Sequence, residues 1–108
     1  DRPQIVRIMT NLIKNAIQAC ENNKSPLIKV SIKKMSKTVR ITVKDNGSGI
    51  PLNIRKNIFE PNFTTKSGGM GLGLGMVKNL VNSYGGKIDF ESKINKGTIF
   101  KITFPIPN

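Results

Sequence analysis

The sequence has no histidine and no tryptophan, one cysteine, and only 6 acidic residues against 18 basic ones in 108 positions. The missing histidine excludes Ser-His-Asp and Cys-His triads and removes the commonest transition-metal ligand. It also excludes a chain that phosphorylates a histidine of its own. Cys20 alone cannot close an internal disulfide, which fits a reducing, intracellular compartment. No apolar run approaches the roughly 18 residues of a membrane span, and no charged-then-apolar leader opens the chain. The length leaves room for one domain, residues 1–108, around one core. The chain starts at Asp1 without Met, as expected of a fragment excised from something longer. The net charge of +12 points to anionic partners: nucleic acid, phosphates, acidic protein surfaces or lipid headgroups. Charge does not choose among them.

What is present is strongly patterned. From Gln4 to about Asn22 the apolar residues Ile5, Ile8, Met9, Leu12, Ile13, Ala16, Ile17 and Cys20 recur at helical spacing. Asp1 is available as a cap, and Pro3 is tolerated in the first turn. Leu27–Lys33 and Thr38–Lys44 alternate like half-buried strands and predict an antiparallel hairpin. Asp45-Asn46-Gly47-Ser48-Gly49-Ile50-Pro51 ends it with strong turn chemistry. A short helix is expected over Asn53–Phe59, and a second long one over Gly71 to about Tyr84, stopped by Gly85-Gly86. Lys87–Ser92 and Thr98–Phe104 read as a second hairpin. The order α, ββ, glycine-rich middle, α, ββ predicts an α+β two-layer sandwich. Its sheet would be mixed, mostly antiparallel, and covered by helices on one face.

Four constellations carry candidate chemistry. Asn11 and Asn15 stand one turn apart, and a neutral amide oxygen can ligate Mg²⁺ when nucleotide phosphates supply the other ligands. On the helix alone they fit a solvated face as well. Asp45, at a strand end before two glycines, can accept a hydrogen bond from an amino group, or simply open an Asp-Asn-Gly turn. The run Gly68-Gly69-Met70-Gly71-Leu72-Gly73-Leu74-Gly75 leads into a helix, where free backbone N–H groups and the helix dipole attract phosphate. It lacks the Lys-Ser or Lys-Thr of a P-loop and the spacing of a dinucleotide fingerprint. A flexible lid or a close helix contact is the alternative. Thr64, Thr65 and Lys66 offer hydroxyls and a point charge for a polyphosphate, although one lysine among 18 basic residues means little alone.

Taken in order, Asn11-Leu12-Ile13-Lys14-Asn15-Ala16, Asp45-Asn46-Gly47-Ser48-Gly49-Ile50, Ile58-Phe59-Glu60-Pro61-Asn62-Phe63-Thr64-Thr65-Lys66, Gly69-Met70-Gly71-Leu72-Gly73-Leu74 and Gly97-Thr98-Ile99-Phe100 span almost the whole chain. The set resembles the N, G1, F and G2 boxes and the final glycine box of the ATP-binding catalytic domain of bacterial two-component sensor histidine kinases, a Bergerat-fold ATPase/kinase. The resemblance implies that Asn15 ligates Mg²⁺ and that Asn11 lines the phosphate end of an ATP cleft. It implies that Asp45 accepts from the adenine amino group, with Gly47 and Gly49 letting the backbone approach the base. Gly69, Gly71, Leu72 and Gly73 would place backbone donors near the phosphates. Lys66 would sit at the phosphate end, and Thr98 would add a hydroxyl near adenine through water.

The wider superfamily resembles this pattern but places a Glu, able to act as a base, where this chain has Asn11. An amide is no general base. The resemblance therefore implies a γ-phosphate donor to a histidine on a separate upstream dimerisation domain, and not a hydrolase. The phosphate would pass on to the receiver domain of a response regulator. The whole protein is expected to be a homodimer, cytoplasmic or the cytoplasmic part of a membrane-bound sensor, with no specific nucleic acid and no membrane contact by this domain. Gln18 departs from the lysine that many sensor kinases carry there. A stand-alone ATPase or protein-serine kinase of the same fold, and a nucleic-acid module suggested by charge, are the competing readings.

Overall fold

The computed structural model describes residues 2–60 and 73–106. Helix α1 spans Arg2–Ala19 and is followed by strands β1 (Ile28–Lys34) and β2 (Thr38–Asp45). A 3-10 helix over Leu52–Asn57 and helix α2 (Leu74–Ser83) lead to β3 (Lys87–Lys93) and β4 (Gly97–Pro105). The described strands form one sheet in the order β1-β2-β4-β3, with every pairing antiparallel. This is the expected α+β two-layer architecture, without a parallel pair among the described strands.

Alternation along the strands decides which residues face the helices. Ile41, Val43, Asp45, Thr98, Phe100 and Ile102 are buried on one side of the two central strands. Ile8, Leu12 and Ala16 of α1 and Leu74, Val77 and Val81 of α2 close the core above them. Phe59, Phe90 and Phe104 pack at its margin, Phe90 lying 5.8 Å from Phe100 between ring centroids. α1 leans toward β2 and α2, so β1 is poorly covered: Val30 and Ile32 lie on the helix side yet are 44% and 71% exposed.

Two helix ends show how local chemistry sets the limits. α1 stops three residues short of its expected end. The Cys20 N–H is shared between the Ala16 and Ile17 carbonyls, and Glu21 and Asn23 continue in tighter i→i−3 bonds. At the end of α2 the Gly86 N–H reaches the Val81 carbonyl and the Gly85 N–H reaches that of Asn82. Gly85 adopts φ 75°, completing a Schellman motif as Gly85-Gly86 predicts. No helix among the described residues is long and apolar enough to cross a membrane.

The far face of the sheet is open and basic. Lys29 stands opposite Lys44, and Lys33 opposite Arg40. Toward the other edge Glu91 pairs with Lys101.

Candidate functional site

The residues singled out on three separate elements meet in one place. Asn15 on α1, Asp45 at the end of β2 and Thr98 at the start of β4 line one narrow cavity, with Ile50, Ile58, Leu74 and Phe100 among its apolar walls. Antiparallel pairing sets Asp45 directly opposite Thr98, so two residues 53 positions apart become neighbours. Asn15 lies on the helix flank turned toward them. All three are buried, at 5%, 4% and 3% exposure, so Asn15 belongs to no solvated face. The cavity is only about 10 Å³, which holds about one water. An occupant larger than a water would need the surrounding side chains to give way.

A buried carboxylate needs partners. The Gly47 N–H donates to Asp45 Oδ1 at 2.8 Å. Burial pushes the Asp45 carboxyl above its ordinary range, while the Gly47 and Thr98 backbone N–H groups pull the other way. Asp45 is the one buried charged residue among those described.

The turn that follows is held by its own scaffold. A β-carbon on Gly47 would run into the Ala19 carbonyl and come within 2.7 Å of Ala19 Cβ. The Ser48 N–H bonds that same carbonyl at 3.0 Å. Gly49, at φ 81°, presses on the Lys93 backbone of the second hairpin. In this structure both glycines are required by α1 and by β3, whatever their relation to a base. Asn46 ties the turn to the loop before β1. Its Oδ1 accepts from the Leu27 N–H at 2.8 Å, its Nδ2 donates to the Ser25 carbonyl at 3.0 Å, and its own carbonyl accepts from Asn23 Nδ2 at 2.7 Å. The buried Cys20 thiol also points at Asn46 Oδ1, and burial with the nearby Asp45 charge pushes its pKa up.

Asn11 occupies a second position, beside the start of α2. Its Nδ2 donates back to the Arg7 carbonyl at 3.1 Å. A β-carbon on Gly73 would stand 2.7 Å from Asn11 Oδ1, and Gly73, at φ 77°, is the residue that caps α2. Asn11 and Gly73 are therefore brought together at a helix N-terminus, where backbone N–H groups are unpaired and the dipole favours anions. Gln18 lies elsewhere, lining a wider concavity with Asn22 and Asn46. Lys66, Gly69, Gly71, Leu72, Phe63, Thr64 and Thr65, together with the cap expected at Asp1, lie outside the described residues.

Three groups of site residues were not singled out by sequence reasoning. The apolar walls Ile54, Leu74 and Phe100 belong to it; Phe100 follows Thr98 at strand period and was the one recoverable by alternation. Asn46 looks like turn filler until its partners are seen. Ser92 and Arg55 hold the polar edge from behind, through contacts 37 to 42 residues apart in sequence, and no local signal marks them.

The donor set fits Mg·nucleotide chemistry. Among the described residues no cluster of three or more His, Cys, Asp or Glu could hold a metal alone. The amide oxygen of Asn15 could serve a cation only in company with another ligand source such as phosphates.

Comparison with known proteins bears on the family and the fold. The family model described as histidine kinase-, DNA gyrase B-, and HSP90-like ATPase matches residues 1–108. The chain is 39% identical over 105 residues to sporulation kinase A of Bacillus subtilis (strain 168), covering 97% of this chain and 17% of that protein. It is 38% identical over 106 residues to the sensor histidine kinase ZraS of Escherichia coli (strain K12), covering 98% of this chain and 22% of that one. The chain thus spans about a fifth of the length of these relatives. Among solved structures, the catalytic domain of histidine kinase ThkA superposes with a TM-score of 0.83 at 37% identity, covering 97% of this chain and 69% of that one. The mycobacterial sensor histidine kinase MprB superposes with a TM-score of 0.79 at 26% identity, covering 97% and 74%.

Proposed function

The chain belongs to the histidine kinase-, DNA gyrase B-, and HSP90-like ATPase family, and from that premise we propose that it is the ATP-binding catalytic domain of a two-component sensor histidine kinase. The observation that carries the reading is the convergence of Asn15, Asp45 and Thr98 on one apolar-walled cavity, with Asn11 beside the N-terminus of α2. Asp45 accepts from the adenine amino group, while Ile50, Ile58, Leu74 and Phe100 hold the faces of the base. Asn11 and Gly73 line the phosphate end, the end to which the resemblance also assigns Lys66, Gly69, Gly71 and Leu72. Asn15 would hold a Mg²⁺ bound with the nucleotide, an ion that would supply neutralisation of phosphate charge. The chain's contribution is positioning and electrostatic stabilisation, which is most of what phosphoryl transfer asks of a protein.

The acceptor is a histidine on a separate dimerisation domain, because this chain has none. A response regulator then takes the phosphate, and the domain works in the cytoplasm. α1 contains no Asp or Glu, so it offers no base to activate water. That argues against a stand-alone ATPase or protein-serine kinase of the same fold.

The test is titration with Mg·ATP, wild type against Asp45→Ala. Wild-type binding is expected, with a loss of about 100-fold in the variant, the scale for removing a charged hydrogen-bond partner. No binding by the wild type, or undiminished binding by Asp45→Ala, overturns the assignment. Appreciable phosphate release by the chain alone would favour the ATPase.

A further inference from the structure

A nucleobase cannot enter the cavity without displacing a wall. The free space holds about one water, and the walls Ile58, Leu74 and Phe100 are all buried. Close-packed interiors have low compressibility and transmit a displacement toward their margins. Behind Phe100 such a path is present. Phe90 stands opposite Phe100 in the β3–β4 register, with ring centroids 5.8 Å apart. Phe90 in turn meets the Phe59 ring in an edge-on contact at 5.9 Å and 64°. Neither Phe90 nor Phe59 lines the cavity, and both are half-buried at the margin of the core. The three rings form a continuous chain from a cavity wall to the surface.

The outer end of that chain rests on α2. A β-carbon on Gly75 would stand 3.2 Å from the Phe59 carbonyl oxygen and 2.9 Å from that of Glu60. Lys78, on the same helix, sets its ammonium 5.4 Å from the centroid of the Phe59 ring, a cation–π contact. Gly75 follows Leu74, a cavity wall, and Gly73, the cap of α2 that meets Asn11. The first turn of α2 is therefore held by the cavity on one side and by Phe59 on the other. A displacement of Phe100 passes through Phe90 to Phe59, and from Phe59 to the turn that begins at the phosphate end.

We propose that Phe90 is a positioning residue that couples occupancy of the base cavity to the N-terminus of α2, so that a seated base sets the phosphate end for the rest of the nucleotide. The inference rests on the nucleotide-binding reading above and deepens it. A second aromatic pair, Tyr84 with Phe104 at 6.3 Å, lines no part of the cavity and serves as the reference.

The chain has no tryptophan, so Phe59→Trp introduces a single indole at the outer end of the relay. Adenosine, which carries the base and no phosphate, is the first probe. Saturating adenosine should shift the indole emission, and adding Phe90→Ala should abolish the shift. Tyr84→Trp, in the reference pair, should show none. The second readout is the affinity for ADP, with Mg²⁺, relative to that for adenosine. Phe90→Ala should lower this ratio about fivefold, the low end of typical couplings between sites, with adenosine affinity kept. A merely loosened core would weaken both ligands together. Phe90→Tyr, which keeps the ring, should hold the wild-type ratio. Thermal unfolding checks each variant; if Phe90→Ala is unfolded, Phe90→Leu takes its place with the same expectations. Emission that ignores bound adenosine, a shift that survives loss of the Phe90 ring, an equal shift in Tyr84→Trp, an unchanged ratio or equal loss of both affinities overturns the inference while nucleotide binding stands. If the wild type binds neither ligand, the nucleotide reading fails first, and this inference with it.

Discussion

The two faces of the sheet handle charge in opposite ways. On the helix side one carboxylate among the described residues, Asp45, is buried at a strand end where backbone N–H groups meet it. On the open side lysine faces lysine and lysine faces arginine across β1 and β2 with no acid between them. Like charges placed directly opposite are unfavourable, but water and salt screen them. Burial removes that screening. The like charges of β1 and β2 sit where repulsion costs little. Among the described residues the one buried charge, Asp45, lines the cavity.

Changing the rigid surroundings of the buried charge should have the largest effect. Gly47→Ala pushes a methyl group into the Ala19 carbonyl and displaces the turn that donates to Asp45. Overpacking of this kind typically costs about 1–3 kcal/mol. Urea unfolding should show a loss in that range; an unchanged midpoint would mean the turn relaxes freely.

Removing the buried charge itself should have the opposite sign. The folded pKa of Asp45 is raised, so the native state holds this proton more tightly than the unfolded chain does. The stabilisation associated with the protonated form is complete below the unfolded value, about 3.9, and is lost as pH rises through the folded value. Asp45→Asn should therefore melt a few degrees higher than the parent at pH 7, with the gap closing toward pH 3, while binding ATP more weakly. A variant that melts lower at pH 7 would show that the backbone bonds to the carboxylate outweigh its desolvation.

The smallest effect belongs to the open face. Lys29→Glu turns the like pair with Lys44 into an opposite pair, a change of roughly 0.5 kcal/mol toward stability that fades in high salt. Thermal melts at low and high ionic strength check it, and a salt-independent change would exclude the electrostatic cause.

Much of the framework is legible along the chain. Both hairpins follow from period-2 alternation and turn residues, and the strand limits differ from expectation by one residue at most ends. α1 and α2 follow from helical spacing. α2 begins three residues later than expected because Gly73 caps it in the left-handed region. The 3-10 helix begins directly after Pro51, where the ring sets φ. The site is legible in part. Asn15 falls at the boundary of an apolar stripe, and spacing cannot say whether such a boundary faces water or a cavity.

Residue order and periodicity were enough for the element types, the α+β layering and the family pattern, because these depend on interactions a few residues long and on motifs contiguous in the chain. Packing was needed to bury Asn15, to set Asp45 opposite Thr98 and to put Ser92 behind them. It also revealed that Gly47 yields to the Ala19 carbonyl and that Lys29 meets Lys44. Apart from Ser92 and Thr98, six positions apart across one turn, each of these joins residues 15 to 53 positions apart or depends on which side of a helix the sheet lies. Pairing register and helix rotation, which local propensity leaves open, settle both.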